Sequence, residues 1–277
     1  MKITLTGSTG NITKPLAQIL IGAGHQVTII SSDAAKTEII AALGATAAIG
    51  SVNDTGFLAR AFTGADAVYI MIPPNYGAPD LRKFMNEVGQ SYAAAIKTAG
   101  VKRAVVLSSV GAHRSDGTGP ITGLHDLEQT LNTLEDVAVK YIRAPFFYIN
   151  LYANVDMIKH AGIIGSNYPA DARLVMGHPR DIAIVIGEEI QKPFTGKTVR
   201  YVASDERTTA EVAKVLGAAI GKPGLPWVEF TDEQAFEGMA QAGLPEEMAK
   251  KYTEMGTAVK SGILWEDYDL HKPQLSA

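Results

Sequence analysis

The chain of 277 residues contains no cysteine. That absence excludes disulfides, thiolate zinc ligands and a cysteine nucleophile. No apolar run reaches the ~18 residues that a membrane span needs. Basic blocks are missing too: 25 Lys and Arg stand against 29 Asp and Glu, for a formal net charge of −4. Direct nucleic-acid binding is therefore not expected. Met1-Lys2 runs straight into an apolar stretch, so the expectation is a chain without a signal peptide, acting in the cytoplasm away from membranes. There is no G-x-S-x-G elbow for a Ser-His-Asp hydrolase. His113 and His125 are not at a metal-ligand spacing, and no metal site is expected.

What the chain does have begins at its first residues. Ile3 to Thr6 reads as a buried strand, and the residues from Asn11 to Ile21 have helical spacing of apolar positions. Between them lies Gly7-Ser8-Thr9-Gly10. A glycine-rich turn between strand and helix lets backbone N–H groups approach a phosphate, with the positive end of the helix dipole behind them. Gly7 suits the tight turn and Gly10 suits close approach of a pyrophosphate. Thr13 stands where a dinucleotide fingerprint usually has a third, packing glycine.

Strands and helices then alternate. Further strands are expected at Gln26 to Ser31, Ala45 to Ile49, Ala67 to Ile72, Arg103 to Leu107 and Val137 to Arg143. Helices are expected at Asp33 to Leu43, at Asp54 to Phe62 with Asp54 as cap, and at Asp80 to Ala99. Another should run from Thr122, read as its cap, to Leu134. Most strands are continuously apolar, as in a parallel sheet covered on both faces. After Pro145 the pattern loosens. Arg180 to Gln191 reads as a helix and Thr198 to Ala203 as a strand. Thr208-Thr209, with Glu211, opens a helix to Ile220. Trp227 to Phe230 reads as a short strand, and helices are expected at Asp232 to Ala242 and Glu246 to Val259. The fold class expected is α/β, a Rossmann-like doubly wound parallel sheet of six or seven strands with a small, mostly helical C-terminal lobe. Residues 1–150 would form the nucleotide-binding part, with 178–203 packing back on it. Residues 151–177 and 204–277 would form the smaller lobe.

Several segments in this order carry a resemblance: Gly7-Ser-Thr-Gly10-Asn-Ile12, Ser31-Ser-Asp-Ala-Ala-Lys36, Gly64-Ala-Asp-Ala-Val68, Leu107-Ser-Ser-Val-Gly-Ala112, Ile142-Arg-Ala-Pro-Phe-Phe147, His178-Pro-Arg-Asp-Ile-Ala183, Thr195-Gly-Lys197 and Ala242-Gly-Leu-Pro-Glu-Glu247. Together they resemble the NmrA-like atypical short-chain dehydrogenase/reductases. The resemblance implies an NAD(P)H-binding domain, and either a reductase of quinones or azo compounds or a non-catalytic cofactor sensor. It implies cofactor contacts from the turn residues Gly7, Ser8, Thr9, Gly10, Asn11 and Ile12, and from Ser31, Ser32 and Lys36 after the second strand. It extends them to Ile72, Pro73 and Pro74 after the fourth strand, to Ser108 after the fifth, and to Pro145, Phe146 and Phe147 after the sixth.

NAD readers usually place an acidic residue at the end of the second strand. Here Ser31-Ser32 hold that place and Asp33 comes late. Members that bind NADP commonly show Arg where Ser32 stands and Lys where Lys36 stands; this chain keeps only the lysine. Lys14 is a second phosphate partner by position, and Ser51 replaces an Asp often found near the adenine. The reading prefers NADP(H) to NAD(H).

Carbonyl-reducing relatives use a Ser with a Tyr-x-x-x-Lys pair. No tyrosine occurs between Tyr92 and Tyr141, and Leu124 fills the lysine place, with Glu128 one turn later. The remaining candidates for proton chemistry are His125, Tyr148 and Ser109. Two readings stay open. One is a reductase passing hydride to a quinone-like or other conjugated small acceptor. The other is a sensor with a regulatory protein partner.

Overall fold

A computed structural model describes residues 1–275. Seven parallel strands form the main sheet: β1 Lys2–Leu5, β2 Gln26–Ser31, β3 Thr46–Ile49, β4 Ala67–Ile70, β5 Arg103–Ser109, β6 Ala138–Ala144 and, after three short strands elsewhere, β10 Lys197–Tyr201. The short strands are β7 Phe146–Phe147, β8 Ile164–Ser166 and β9 Arg173–Gly177. The spatial order is β10-β6-β5-β4-β1-β2-β3. Leu5 therefore sits opposite Ile29 on one side and Tyr69 on the other. The strand order reverses between β1 and β4, which is where ligands enter open parallel sheets, at the carboxyl ends of the strands.

The helices follow from local signals. They are α1 Thr13–Gly22, α2 Thr37–Ala42, α3 Thr55–Phe62, α4 Leu81–Ala99, α5 Thr122–Asn132, α6 Val155–His160 and α7 Pro179–Gln191. Asp54 caps α3 by accepting from Phe57 N–H, and Asp80 caps α4 by accepting from Lys83 N–H; such caps satisfy N–H groups that the first turn leaves orphaned. Successive residues of β4 feed opposite faces. Ala67 and Tyr69 join Leu16, Leu20, Ile182 and Ile186 beneath α1 and α7. Val68 and Ile70 join Phe62, Val88, Tyr92 and Leu127 beneath α3, α4 and α5. Both faces of the sheet are thus buried.

Two expectations near these helices are corrected. The helix expected from Asp33 begins as a 3-10 turn, Ala34–Lys36, which Asp33 caps. Thr122 is the first residue of α5 and not its cap; its hydroxyl donates to the Gly119 carbonyl in the 3-10 turn that leads in.

The later chain adds β11 Asp205–Thr208, α8 Thr209–Ala219, β12 Trp227–Glu229, α9 Asp232–Gln241, α10 Glu246–Ser261 and α11 Glu266–Leu270. Thr208 and Glu211 form a full capping box on α8. β11, β9 and β7 make a three-stranded sheet, and β12 pairs with β8. Leu174, Val175, Tyr201, Leu264, Trp265 and Tyr268 share one core cluster here. No helix among the described residues is long and apolar enough to cross a membrane.

Candidate functional site

The β1–α1 turn is held from below. Thr6 N–H donates to the Tyr69 carbonyl at 3.0 Å, and Thr6 Oγ1 accepts from Met71 N–H at 2.9 Å. The Tyr92 hydroxyl donates to the Met71 carbonyl at 2.7 Å. Gly7 has φ +90, and a Cβ there would lie 2.5 Å from Thr13 Oγ1. The Thr13 hydroxyl is occupied by a 2.8 Å bond to the Thr6 carbonyl. Thr13 thus fills the third-glycine place by tying the start of α1 to the end of β1. Ser8 takes a left-handed φ of 53, a conformation costly for a side chain. It is held by its N–H to the Ile30 carbonyl at 3.1 Å and by its hydroxyl to Ser31 Oγ at 2.9 Å. Gly10 N–H donates to the Gly7 carbonyl, and a Cβ on Gly10 would come within 3.0 Å of that same oxygen.

Above this cradle α1 begins with no side-chain cap at Ile12 and no acidic residue in its first turn. Its partial positive charge therefore meets the exposed Gly10 and Asn11 without a compensating carboxylate. The residues present fit the pyrophosphate of a dinucleotide.

On the β2 side, Ser31 is buried and its hydroxyl is committed to Ser8 and to the backbone of Asp33. Its side chain holds the turn and does not face outward. Ser32 is exposed, and Lys36, half-buried, ends the 3-10 turn. The Asp33 carboxylate turns back onto Ala35 N–H at 2.9 Å. Ser51 Oγ accepts from Asn53 N–H, and Lys14 is exposed on α1.

The floor under β5 and β6 is ionic. Ser108 is buried and donates its hydroxyl to Glu128 Oε1 at 2.5 Å, so its one hydrogen is committed to that carboxylate. Glu128 also accepts from Arg143 Nε at 3.0 Å and Arg143 Nη2 at 2.7 Å. Arg143 Nη1 reaches Asp267 at 2.8 Å and the Tyr201 hydroxyl at 3.0 Å, and that hydroxyl donates to Asp267. Burial pulls the Arg143 guanidinium down, but its bonds to Glu128 and the charge of that carboxylate hold it above its ordinary value. Burial pushes Asp267 up, yet the Tyr201 bond and the Arg143 charge keep it below the usual carboxylate range. Ser109, half-buried, bonds the Val110 carbonyl.

His125 has Nδ1 at 2.9 Å from the Ala112 carbonyl. A carbonyl only accepts, so Nδ1 carries the hydrogen and Nε2 of the neutral ring is an acceptor. Its neighbour Asp126 is paired with Arg82 at 2.6 Å, and Leu124 packs into the core.

Beyond β6, Pro145 is buried, whereas Phe146, Phe147 and Tyr148 are half-buried. Phe147 pairs with Gly177 at the end of β9, which brings Tyr148 beside His178 with ring centroids 6.5 Å apart. Ile72 and Pro73 are half-buried after β4, and Pro74 is exposed. A separate open cleft of about 920 Å³ lies along α7 and β10; Arg143 and Asp267 line it, and no residue of the glycine turn does. No group of three or more His, Asp or Glu among the described residues converges to hold a metal.

In the sequence His178 lies within the segment His178-Pro-Arg-Asp-Ile-Ala183. Its signal was local: a polar residue followed by proline at the first helical position, the pattern of an N-cap.

A model of the NmrA-like family matches residues 1–263. Among solved structures, an NADPH-dependent quinone oxidoreductase from Escherichia coli complexed with NADPH is 20% identical, with 97% of this chain and 93% of that chain covered and a TM-score of 0.81. A triphenylmethane reductase from Citrobacter sp. is 19% identical, with 100% and 96% covered and a TM-score of 0.80. A nucleoside-diphosphate-sugar epimerase from Staphylococcus aureus is 18% identical, with 100% and 98% covered and a TM-score of 0.82. At these identities the likeness establishes the fold. No curated protein sequence matches the chain.

Proposed function

The chain belongs to the NmrA-like family, and on that premise we propose that it is an NADPH-dependent reductase of quinone-like or other conjugated small acceptors. The observation that carries the reading is the Gly7 to Thr13 cradle at the switch point of the sheet, beneath an uncapped α1. Its backbone would hold the pyrophosphate, with Ser32 and Lys36 toward the 2′-phosphate. Phe146 and Phe147, at the carboxyl end of β6, would flank the nicotinamide, and the later lobe would receive the acceptor. When bound, the reduced nicotinamide supplies a hydride. The protein's task is then to align donor and acceptor. The solved relatives named for NADPH-dependent quinone reduction and for dye reduction support this choice of acceptor class.

Incubation with NADPH and a panel of quinones, followed at the absorbance of the reduced cofactor, tests it. Turnover is expected. An unactivated ketone should react roughly 10²–10⁴-fold more slowly, because no lysine-activated tyrosine is placed on α5 to protonate an alkoxide. Equal rates on both would mean that a stronger acid serves the site.

A second reading, a cofactor sensor, has its own observation. The helix that carries the Tyr-x-x-x-Lys pair in carbonyl-reducing relatives here offers Leu124 and a Glu128 locked to Arg143. Tight NADPH binding with no oxidation on any quinone would favour it.

A further inference from the structure

We propose that His178, with Tyr148 beside it, donates the hydrogen bonds that receive the acceptor's oxygen; this role rests on the reductase reading above. His178 follows β9 and caps α7, its Nδ1 accepting from Arg180 N–H at 3.1 Å. A backbone N–H can only donate, so Nδ1 of His178 is the acceptor and its ring hydrogen is on Nε2. His125 has the reverse arrangement. Of these two histidines, the neutral ring of His178 alone presents an Nε2–H.

The main chain at His178 is also held: its backbone N–H donates to Ser204 Oγ at 3.0 Å, and Ser204 donates to Asp181 at 2.6 Å. β7 follows β6 after a single residue and lies against the end of β9, so the exposed His178 and the half-buried Tyr148 stand together at the carboxyl end of β6. Burial, together with the charges of Asp205 and Asp181, holds the Tyr148 hydroxyl above its ordinary value, so it keeps its hydrogen.

The step balances as follows. A quinone gains a hydride from the reduced nicotinamide, that is, two electrons and one hydrogen, and the nicotinamide is left oxidised. The product is a hydroquinone monoanion with its charge on oxygen. His178 Nε2–H and Tyr148 O–H stabilise that charge as it develops, and a proton from water completes the hydroquinone.

Two measurements test this. In the cofactor-free protein, ¹⁵N-detected imidazole spectra should show hydrogen on Nε2 of His178 and on Nδ1 of His125. Adding anthraquinone-2-sulfonate should shift the His178 Nε2 signal and leave His125 in place. A hydrogen on Nδ1 of His178, or a shift at His125 alone, overturns the proposal. In turnover, His178→Ser keeps a capping oxygen on α7 and removes the imidazole. It should lower kcat with a quinone on the order of 10²-fold, with NADPH affinity within about twofold, and Tyr148→Phe should lower it less. An unchanged kcat in His178→Ser refutes the role while leaving the reductase reading intact. A wild-type protein that binds NADPH but reduces no quinone removes that reading itself.

Discussion

The two halves of the crevice are built by opposite means. At the β1–α1 turn the restraints run within the turn, from Gly10 to Gly7 and from Thr13 to Thr6, and to the neighbouring strands, from Ser8 to Ile30 and Ser31 and from Thr6 to Tyr69 and Met71. All are neutral hydrogen bonds among backbone and hydroxyl groups. Under β5 and β6 the restraints involve buried charge, from Ser108 to Glu128, from Glu128 to Arg143, and, across most of the chain, from Arg143 to Asp267. A neutral turn, held by its own residues and the adjoining strands, leaves its helix end open to an anion. A buried ionic floor needs the far end of the chain, and each partner depends on the others because an unpaired buried charge is expensive. Residue 263, the last that the family model matches, precedes Asp267. The floor is therefore closed from outside the matched span, whereas the turn lies wholly within it.

The sharpest way to break this contrast is Arg143→Ala. It strands Glu128, whose side chain is 4% exposed, and should destabilise the fold by about 3–5 kcal/mol, read from urea midpoints. Replacing both partners by apolar residues, as Glu128→Leu with Arg143→Met, should recover much of that loss. If Arg143→Ala alone is silent, the floor is not a stabilising unit.

At the turn the largest effect belongs to Gly10→Val. The side chain would press on the Gly7 carbonyl and on the incoming pyrophosphate. Dinucleotide binding should weaken at least tenfold, about 1.4 kcal/mol. Normal affinity in a folded variant would make the turn purely structural.

Thr13→Val tests the substitute for the third glycine. Removing its bond to the Thr6 carbonyl should cost about 0.5–1.5 kcal/mol of stability. A loss of cofactor affinity with stability unchanged would contradict that account.

Lys36→Ala should weaken NADPH by roughly 1 kcal/mol or less and leave NADH nearly unchanged, with the difference shrinking at high salt. Equal losses for both cofactors would remove Lys36 from the 2′-phosphate.

The smallest effect concerns pH. The Asp267 carboxylate is held below its ordinary value of 3.8 in the folded state. Such a group contributes stability above its unfolded pKa, and that contribution is lost as pH falls through the lower folded pKa. Asp267→Asn should therefore flatten the part of the acid limb below about pH 4. An acid limb identical to wild type would show that Asp267 does not contribute to it.

Much of this molecule is legible without its structure, and the reason is periodicity. The largely apolar strands β1 to β6, the caps Asp54 and Asp80, the capping box of Thr208 and Glu211, and the glycine turn are all signals carried within a few residues. The strand at Thr198 was visible, and so was the return of 178–203 to the nucleotide-binding part, but its pairing with β6 was not. β10 joins β6 because the sheet ends there and α7 packs back on α1, contacts that span the chain. The strands β7, β8, β9 and β11 are two to five residues long, too short to show alternation, and they exist only because partners lie alongside. Ser108 read as a cofactor contact because its place in the segment suggested it; its hydroxyl turned inward because Glu128 and Arg143 meet beneath it. The sequence by itself determined the order of the longer strands and helices and the glycine turn between β1 and α1, since hydrophobic period, capping and glycine conformations are local properties. Tertiary structure alone decided which buried charges meet and which histidine stands beside Tyr148, since those contacts join residues that no local pattern relates.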